Sequence, residues 1–497
     1  MPQHLTLDEL ESHLWESANI LRGSIDSSDY KNYIFGLLFL KRLSDVFEEN
    51  REKIREEYGE ELLNDPDFYT ESYFFMPERS RWESIKNQTQ DIGAHINKAF
   101  EVLEQENSVL EGVLTSIDFN DKERLPDDVL EELIQHYSEI SLGNQDLDDP
   151  DILGRAYEYL IRQFADDAGK KGGEFYTPRQ VVKLLVEILD PKPDMRVYDP
   201  CCGSGGMLIY SAEHIRGNGH SMEEITLFGQ EKNLNTWSIC KMNTLLHELF
   251  DAQIAKGDTM RNPEFTEDGK LQQFDRVIAN PMWNQSRWSK EYLQDANPYG
   301  RFSYGFPPKN SADWAWLQHM LASANTNGKV GVVLDNGVLF RSRSEGKIRK
   351  KALEDDLIEA VIALPSNLFY NTSSPGCILI LNKNKPVERT DKVIFIYAEE
   401  DYEEGSNQNY LREEDIEKIL EAYNNYEDIE KYCRVADMEE IERNDYNLNV
   451  PRYVDTTEPE ELVDIDKVLD NLNQLEEERD EIEEEMNGYL QELGYDG

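Results

Sequence analysis

The middle third of the chain alternates between two kinds of sequence, and this alternation restricts the fold more than any other feature. Short runs rich in β-branched residues are separated by longer stretches with apolar residues at helical spacing. Such alternation makes successive strands parallel and places helices on both faces of the sheet. It predicts an α/β fold with a doubly wound, seven-stranded, Rossmann-like sheet. The predicted strands are 196–198, 226–230, 253–255, 275–279, 329–334, 358–364 and 377–381.

The segments on either side of the sheet region have different patterns. Apolar residues at helical spacing predict an all-helical N-terminal domain at 1–145, followed by the α/β domain at 146–390. Residues 391–497 hold 36 Asp+Glu against 9 Lys+Arg and are interpreted as an acidic, largely helical segment. Its end, at 462–493, carries an apolar heptad interrupted only by Arg479, which is typical of a coiled-coil helix.

A glycine-rich turn follows the first predicted strand and opens the next predicted helix. Gly203, Gly205 and Gly206 allow a tight turn and let a ligand approach the backbone. The spacing is not the G-x-G-x-x-G of dinucleotide sites, and no lysine stands where a phosphate-binding loop needs one. Asp199, at the carboxyl end of the strand, suits the cationic amino-acid part of a ligand.

Acidic residues also follow the second and third predicted strands. Glu231 lies at the distance of roughly 20–30 residues from the glycine turn at which an acidic side chain accepts both hydroxyls of a ribose. Asp258 is a weaker candidate, either as an acceptor for an adenine amino group or as a simple turn residue.

The fourth predicted strand is followed by Asn280-Pro281-Met282-Trp283. An Asn–Pro step at a strand end places a side-chain carbonyl beside a backbone carbonyl whose orientation the proline ring restrains. Two such acceptors hold both hydrogens of an exocyclic amino group and leave its lone pair free to attack a methyl donor. Catalysis would rest on positioning and electrostatics. Trp283 is expected to stack on a base flipped out of a duplex.

These motifs resemble those of the amino-methyltransferases, D-P-x-x-G-[ST]-G-G and N-P-P-[FY]. More closely, the chain resembles the modification subunit of type I restriction–modification systems. Residues 173–179 resemble the cofactor-lid segment of that subunit, 14–26 and 39–45 resemble its N-terminal helical domain, and 447–453 resemble a segment before its C-terminal helix. Together these matches cover most of the chain.

The resemblance implies transfer of a methyl group from S-adenosylmethionine to N6 of adenine in double-stranded DNA, on a methyltransferase-type sheet and without a metal. Asn280, Pro281 and Trp283 would be the catalytic residues. The positions expected to bind the cofactor, or to lie beside it, are Glu174, Phe175, Tyr176, Thr177, Pro178, Arg179, Asp199, Gly203, Ser204, Gly205, Gly206, Glu231 and Asp258. One departure stands at Met282, where the family has its second proline.

Alternative activities remain open from the sequence. A tryptophan at the end of the Asn-Pro motif also occurs among N4-cytosine enzymes, and protein glutamine methylation shares the Asn-Pro chemistry. The N-terminal and C-terminal matches weigh against both. The presence of Asp199, Glu231 and Asn280 together argues against a scaffold that binds cofactor without transferring methyl groups. Cytosine C5 chemistry needs a Pro-Cys nucleophile beside the base, whereas Pro200-Cys201 lies in the glycine turn.

Composition bears on partners and compartment. An acidic chain is repelled by phosphates, so the DNA sequence should be read by another polypeptide. The resemblance implies a specificity subunit onto which helix 462–493 docks, a second copy of this chain and, for cleavage, a motor-nuclease subunit. The five cysteines form no C-x-x-C pair, and the sequence begins without an apolar signal segment. We therefore expect a cytoplasmic protein without membrane contact.

The net charge of −50 indicates a protein adapted to concentrated salt, from a halophilic source. Repulsion among carboxylates destabilises the compact state, and salt screens it over a length of roughly 3 Å at 1 M. We expect the thermal unfolding midpoint to rise between dilute buffer and molar KCl, as measured by circular dichroism. Equal midpoints at the two salt concentrations would contradict the halophilic interpretation.

Overall fold

The structure is a computed structural model. The residues that it describes are 4–26, 29–66, 68–69, 74–148, 152–156, 159–160, 163, 177–296, 298–369, 372–405, 408–456 and 465–493. The chain divides into two compact units, Met1–Val454 and Asp455–Gly497, and each is described by itself.

The N-terminal region is helical, as predicted. Its helices are α1 (Leu7–Leu21), α2 (Tyr30–Tyr58), α3 (Trp82–Lys86), α4 (Ile92–Glu106) and α5 (Asp127–Tyr137). Helix α1 begins where Thr6 and Glu9 cap each other's backbone N–H groups, and it buries one apolar face that includes Leu10 and Leu14. The buried side chains of this region join those of the sheet region in one hydrophobic core. The predicted division at residue 145 therefore separates two architectures that share a core.

A mostly parallel sheet forms the centre of the first unit. The strands of the chain are β1 (Arg196–Asp199), β2 (Thr226–Glu231), β3 (Gln253–Lys256), β4 (Thr266–Glu267), β5 (Lys270–Leu271), β6 (Phe274–Ala279), β7 (Ala324–Asp335), β8 (Ile358–Ala363), β9 (Gly376–Asn382), β10 (Lys392–Tyr397) and β11 (Cys433–Asp437). The sheet order is β11-β10-β8-β9-β7-β6-β1-β2-β3, whereas β4 and β5 form a separate hairpin. Strand β9 runs antiparallel to both its neighbours, as β11 does to β10.

The described residues form a nine-stranded sheet, so the predicted count of seven was wrong. All seven predicted strands are present, and the two further strands, β10 and β11, lie in the segment that was predicted to be largely helical. Strand β10 is a run of β-branched and aromatic residues, Val393 to Ile396, that is completely buried. The high acidic content of the surrounding segment concealed this short apolar run, which pairs in parallel with β8.

A buried carboxylate also ties this segment to the sheet. Glu359 of β8 is fully buried and forms an ion pair of 3.0 Å with Arg389, while the Tyr423 hydroxyl donates to its other oxygen at 3.0 Å. A buried charge is tolerated where it is paired and hydrogen-bonded. Residues 391–454 therefore belong to the same unit as the sheet.

Helices cover the sheet and connect its strands. They are α6 (Arg179–Leu189), α7 (Gly206–Gly217), α8 (Leu234–Leu246), α9 (Lys290–Ala296), α10 (Asp313–Ser323), α11 (Gly337–Phe340), α12 (Ser344–Glu354), α13 (Glu413–Asn425) and α14 (Met438–Arg443). Strand β1 pairs in parallel with β2 and β6, so the carboxyl ends of these three strands meet at one edge.

The second unit contains helix α15 (Ile465–Glu492), within the predicted heptad segment. In the part of the chain that the structure describes, neither this helix nor any other combines the length and the apolar character needed to span a bilayer.

Candidate active site

A cleft opens at the shared carboxyl edge of β1 and β6. Seven of the residues predicted to act in the site line it: Thr177, Arg179, Asp199, Gly203, Ser204, Gly206 and Asn280. The sequence interpretation missed five other lining residues: Val182, Cys201, Cys202, Met207 and Tyr210. Three of them lie near the start of a helix that begins with a predicted site residue: Val182 on α6, which begins at Arg179, and Met207 and Tyr210 on α7, which begins at Gly206. Helical spacing from Arg179 and Gly206 was the signal that could have identified them.

The glycine turn adopts a backbone that demands glycine at two positions. Gly203 and Gly205 have φ angles of 54° and 88°, and a Cβ on Gly205 would lie 2.8 Å from the Cys240 sulfur. A Cβ on Gly203 or Gly206 would meet no atom within 4 Å, so these glycines face open space in the cleft. The Asn243 amide donates to the Ser204 carbonyl at 3.0 Å and holds the turn from behind.

Asp199 is 2% exposed and accepts one backbone hydrogen bond, from the Cys201 N–H to Oδ1 at 2.9 Å. Burial and, to a smaller extent, the nearby Glu231 charge raise the pKa of this carboxyl, the Cys201 N–H lowers it, and the net result is a pKa of about 7. A buried carboxyl with this pKa gains a full charge when a cation binds beside it. Asp199 is therefore suited to bind the ammonium group of S-adenosylmethionine. The open space at the glycine turn leaves room for this cofactor to approach the backbone.

Glu231 holds the glycine turn from the neighbouring strand. Its Oε2 accepts the Gly203 N–H at 3.1 Å and its Oε1 accepts the Asn233 N–H at 2.7 Å. Each carboxylate oxygen retains a lone pair, so the side chain can still accept the hydroxyls of a ribose.

Asp258 has the contacts of a turn residue. Its Oδ1 accepts the Met260 N–H at 3.1 Å, and its Oδ2 forms an ion pair of 2.8 Å with Lys232. The predicted contact between this carboxylate and an adenine amino group stays a prediction.

The Asn280 carboxamide is held from both sides. Its Nδ2 donates to the Thr177 hydroxyl at 2.9 Å, and its Oδ1 accepts the Trp283 indole N–H at 3.0 Å. The Trp283 ring meets Phe369 edge to face, with 4.8 Å between ring centroids. A Cβ on Gly376 would lie 2.9 Å from the Trp283 ring, so β9 presses closely against it. These contacts determine the direction of the amide carbonyl.

The loop after Asn280 rests on a buried acidic residue. Asp313, fully buried at the start of α10, accepts the Asn284 N–H at 2.9 Å and pairs with Arg341 at 2.8 Å. Burial raises the pKa of Asp313, and the Arg341 charge opposes this rise. Arg341 also pairs with Asp335 at the end of β7. The sequence offered no signal for this support, because its members are far apart along the chain.

Three predicted cofactor residues, Glu174, Phe175 and Tyr176, lie outside the described residues. Pro178 precedes α6 as its N-cap, and Pro281 is buried next to Asn280.

A cluster that could be mistaken for a metal site lies in the N-terminal region. His13, His136 and Glu139 place potential ligand atoms within 4.8 Å of one another. The two imidazole rings, however, are stacked at 3.6 Å with only 7° between their planes. Ring nitrogen lone pairs lie in the plane of each ring, so parallel stacked rings cannot both point at one ion. We assign no metal to this cluster.

Comparison with known proteins identifies the class. The N-6 DNA methylase family matches residues 148–462, and the HsdM N-terminal domain family matches residues 10–137. The chain is 38% identical to the type I restriction enzyme MjaVIII methylase subunit of Methanocaldococcus jannaschii, over 99% of this chain and 86% of that protein. It is 34% identical to the HindI methylase subunit of Haemophilus influenzae, over 85% of this chain and 100% of that protein.

A solved structure is similar to this chain and supports the same family. The type I restriction–modification system methyltransferase subunit from Streptococcus thermophilus matches with a TM-score of 0.81 at 32% identity, covering 91% of this chain and 100% of that one. These relatives define the class as an S-adenosylmethionine-dependent, adenine-specific DNA methyltransferase. Within that class, the chain belongs to the methylase subunits of type I restriction enzymes. The predicted family, activity and cofactor are confirmed.

We expect cofactor affinity to depend on pH through Asp199. This carboxyl must be ionised to pair with the cofactor ammonium, and its pKa of about 7 means that acidification neutralises it. The Kd for S-adenosylmethionine, measured by calorimetry, should rise about fivefold between about pH 7 and about pH 6, where the α-amino group of the cofactor is mostly protonated. Asp199→Asn should bind weakly at both pH values and lose this dependence. An equal pH dependence in the wild type and the variant would refute this role.

Proposed function

We propose that the amino group of a flipped adenine binds at the end of β6, between the side-chain carbonyl of Asn280 and the backbone carbonyl of Pro281. The observation that carries this proposal is the position of Asn280 in the same cleft as Asp199 and the glycine turn. When bound there, S-adenosylmethionine supplies the methyl group that the amine attacks. No covalent intermediate with the protein is required.

The contacts of Asn280 support its role as an acceptor. Rotating its carboxamide would face the Trp283 N–H with an NH2 group, so the carbonyl orientation is enforced. A carbonyl oxygen has two lone pairs, and the one that Trp283 does not use can accept from the base. Two acceptors that hold both amine hydrogens keep the nitrogen lone pair out of ring conjugation and direct it into the cleft. This is catalysis by preorganised positioning.

The remaining predicted site residues take supporting roles. Trp283, half-buried against Phe369, would stack on the flipped base. Met282 is 43% exposed, so its side chain does not replace the packing of the second motif proline. Asp199 would hold the cofactor ammonium and Glu231 its ribose. Thr177 and Arg179 line the same cleft and would contact the cofactor.

Removal of the Asn280 acceptor should stop transfer without releasing the cofactor. In Asn280→Ala, the single-turnover methylation rate should fall by about 100-fold or more, since a preorganised hydrogen-bonding group contributes that much in other enzymes. The assay uses labelled cofactor and duplex DNA with the reconstituted complex. The cofactor Kd and the unfolding midpoint serve as controls and should stay close to the wild-type values. A rate within about threefold of wild type would show that Asn280 is not the acceptor.

We further propose that the chain acts in a complex with a specificity subunit, a second copy of itself and a motor-nuclease subunit. The charge of −50 opposes independent binding to DNA, which supports the need for a partner. Helix α15 offers the docking surface. Its seam of heptad residues is largely exposed, including Leu472 at 52%, Leu475 at 62% and Ile482 at 66%. An exposed apolar stripe of this length is typical of a helix that packs against a partner helix.

Charges placed in this seam should abolish docking. We expect Leu475→Asp with Ile482→Asp to lose co-purification with the specificity subunit, because a buried unpaired charge is costly. The matched control is Glu477→Gln with Glu484→Gln, which alters the same helix outside the seam and should keep the complex intact. Recovery of an intact complex with the seam variant would contradict the docking proposal.

A further inference from the structure

One segment of this acidic chain is positively charged. Residues 280–354 hold 11 Lys+Arg against 6 Asp+Glu, whereas the whole chain holds 51 against 101. The segment begins at the catalytic Asn280 and extends through β7 to the end of α12. A net positive stretch in a chain with twice as many acidic as basic residues indicates a local requirement for cations.

Four exposed cations of this segment have no ion pair among the described residues, and one of them, Lys351, donates a hydrogen bond to the Tyr304 carbonyl at 3.3 Å. The other three are Arg287, Arg343 and Lys347. No carboxylate in the described part of the chain lies within ion-pair distance of Arg287, Arg343 or Lys347. Other cations of the segment, in contrast, have carboxylate partners: Lys309 pairs with Glu291 at 2.7 Å and Lys350 pairs with Glu354 at 3.6 Å. Carboxylates are abundant enough to neutralise all of them, so these three cations are available to an external anion.

The backbone presents two of these cations in unusual conformations. Arg343 has φ 62° and ψ −122°, and Arg287 has φ 58°, although neither is glycine. Strained backbone of this kind persists where the surroundings enforce it, and it concentrates at binding sites. The Lys347 N–H donates to the Arg343 carbonyl at 3.2 Å, which places these two residues one turn apart at the start of α12.

Both arginines lie close to the support of the catalytic loop. The Asp313 carboxylate binds the Asn284 N–H and the Arg341 guanidinium. Arg287 follows Asn284 by three residues, so its backbone lies within about 11 Å of the N–H that Asp313 binds. Arg343 follows Arg341 by two residues, so its backbone lies within about 7 Å of the Arg341 backbone. Through Asp313, the chain segments that carry the two arginines are therefore linked to the loop that follows Asn280.

We propose that Arg287, Arg343 and Lys347 form a phosphate rim that binds the DNA backbone on both sides of the flipped adenine. Phosphates repeat along each strand, so a spread row of cations contacts several of them at once. Phe340, 48% exposed, and Met282, 43% exposed, lie beside these cations in sequence and provide apolar contacts for unstacked bases. This inference rests on the proposed base pocket at Asn280.

The salt dependence of DNA binding tests the rim. The variants are Arg287→Gln, Arg343→Gln, Lys347→Gln and the triple variant, each reconstituted with the specificity subunit. Each lost phosphate contact should reduce the slope of log Kd against log salt concentration by about 0.9. Specific and unrelated duplexes should weaken alike, while the cofactor Kd stays unchanged. Lys270→Gln is the matched control, since Lys270 is an exposed cation on the β5 hairpin outside the segment, and it should leave the slope unchanged.

Other outcomes would overturn the inference. An unchanged slope in the triple variant would show that the rim does not touch phosphates. Loss of the specificity subunit from the triple variant would assign this surface to a protein contact instead. Asn280→Ala, measured in parallel, separates the two proposals: it should lose transfer and keep the wild-type slope. A triple variant with the wild-type slope would refute the rim even where Asn280→Ala is inactive.

Discussion

Parallel hydrogen bonding among β6, β1 and β2 places three strand ends side by side, and the cleft depends on this alignment. Tyr198 pairs with Val277 and Asp199 pairs with Gly229 across the strands. Side chains from distant parts of the chain, Asp199, Glu231 and Asn280, thereby reach one edge of the sheet. The residues before them are buried, so the strands cannot slip without moving apolar side chains out of the core.

This arrangement of the strand ends places an acidic side chain, Asp199, on one side of the cleft and an ion pair between Asp313 and Arg341 behind the other side. Asp199 is buried near Glu231, so its ionised form is unfavourable until a cation arrives, which favours a cationic ligand on that side. On the other side, the loop after Asn280 is fixed by the pair between Asp313 and Arg341. Arg287, Arg343 and Lys347 are exposed cations in a chain whose net charge of −50 otherwise repels phosphate. In the proposed arrangement, the cofactor binds beside Asp199 and the DNA backbone binds the cations of the phosphate rim.

The predictions of the strands and of the glycine turn are confirmed, because these features depend on the local sequence pattern. All seven predicted strands occur, and the glycine turn has the left-handed backbone that its glycines allow. Strands β10 and β11 were missed because acidic residues around them dominated the composition, and a short strand gains its stability from a neighbouring strand. The Trp283 N–H contact to Asn280 was also missed, since stacking was the expected role of the ring.

The sequence alone determined the family, the α/β class and the order of the motifs, because helical and strand periodicity and turn chemistry are local properties. It also determined the total charge and the heptad of α15. Only the tertiary structure decided that residues beyond 390 complete the sheet, and that Thr177 and Trp283 hold Asn280 from opposite sides. It alone decided which cations find carboxylate partners. Those outcomes depend on hydrogen bonds and ion pairs between residues far apart in sequence, which no local pattern contains.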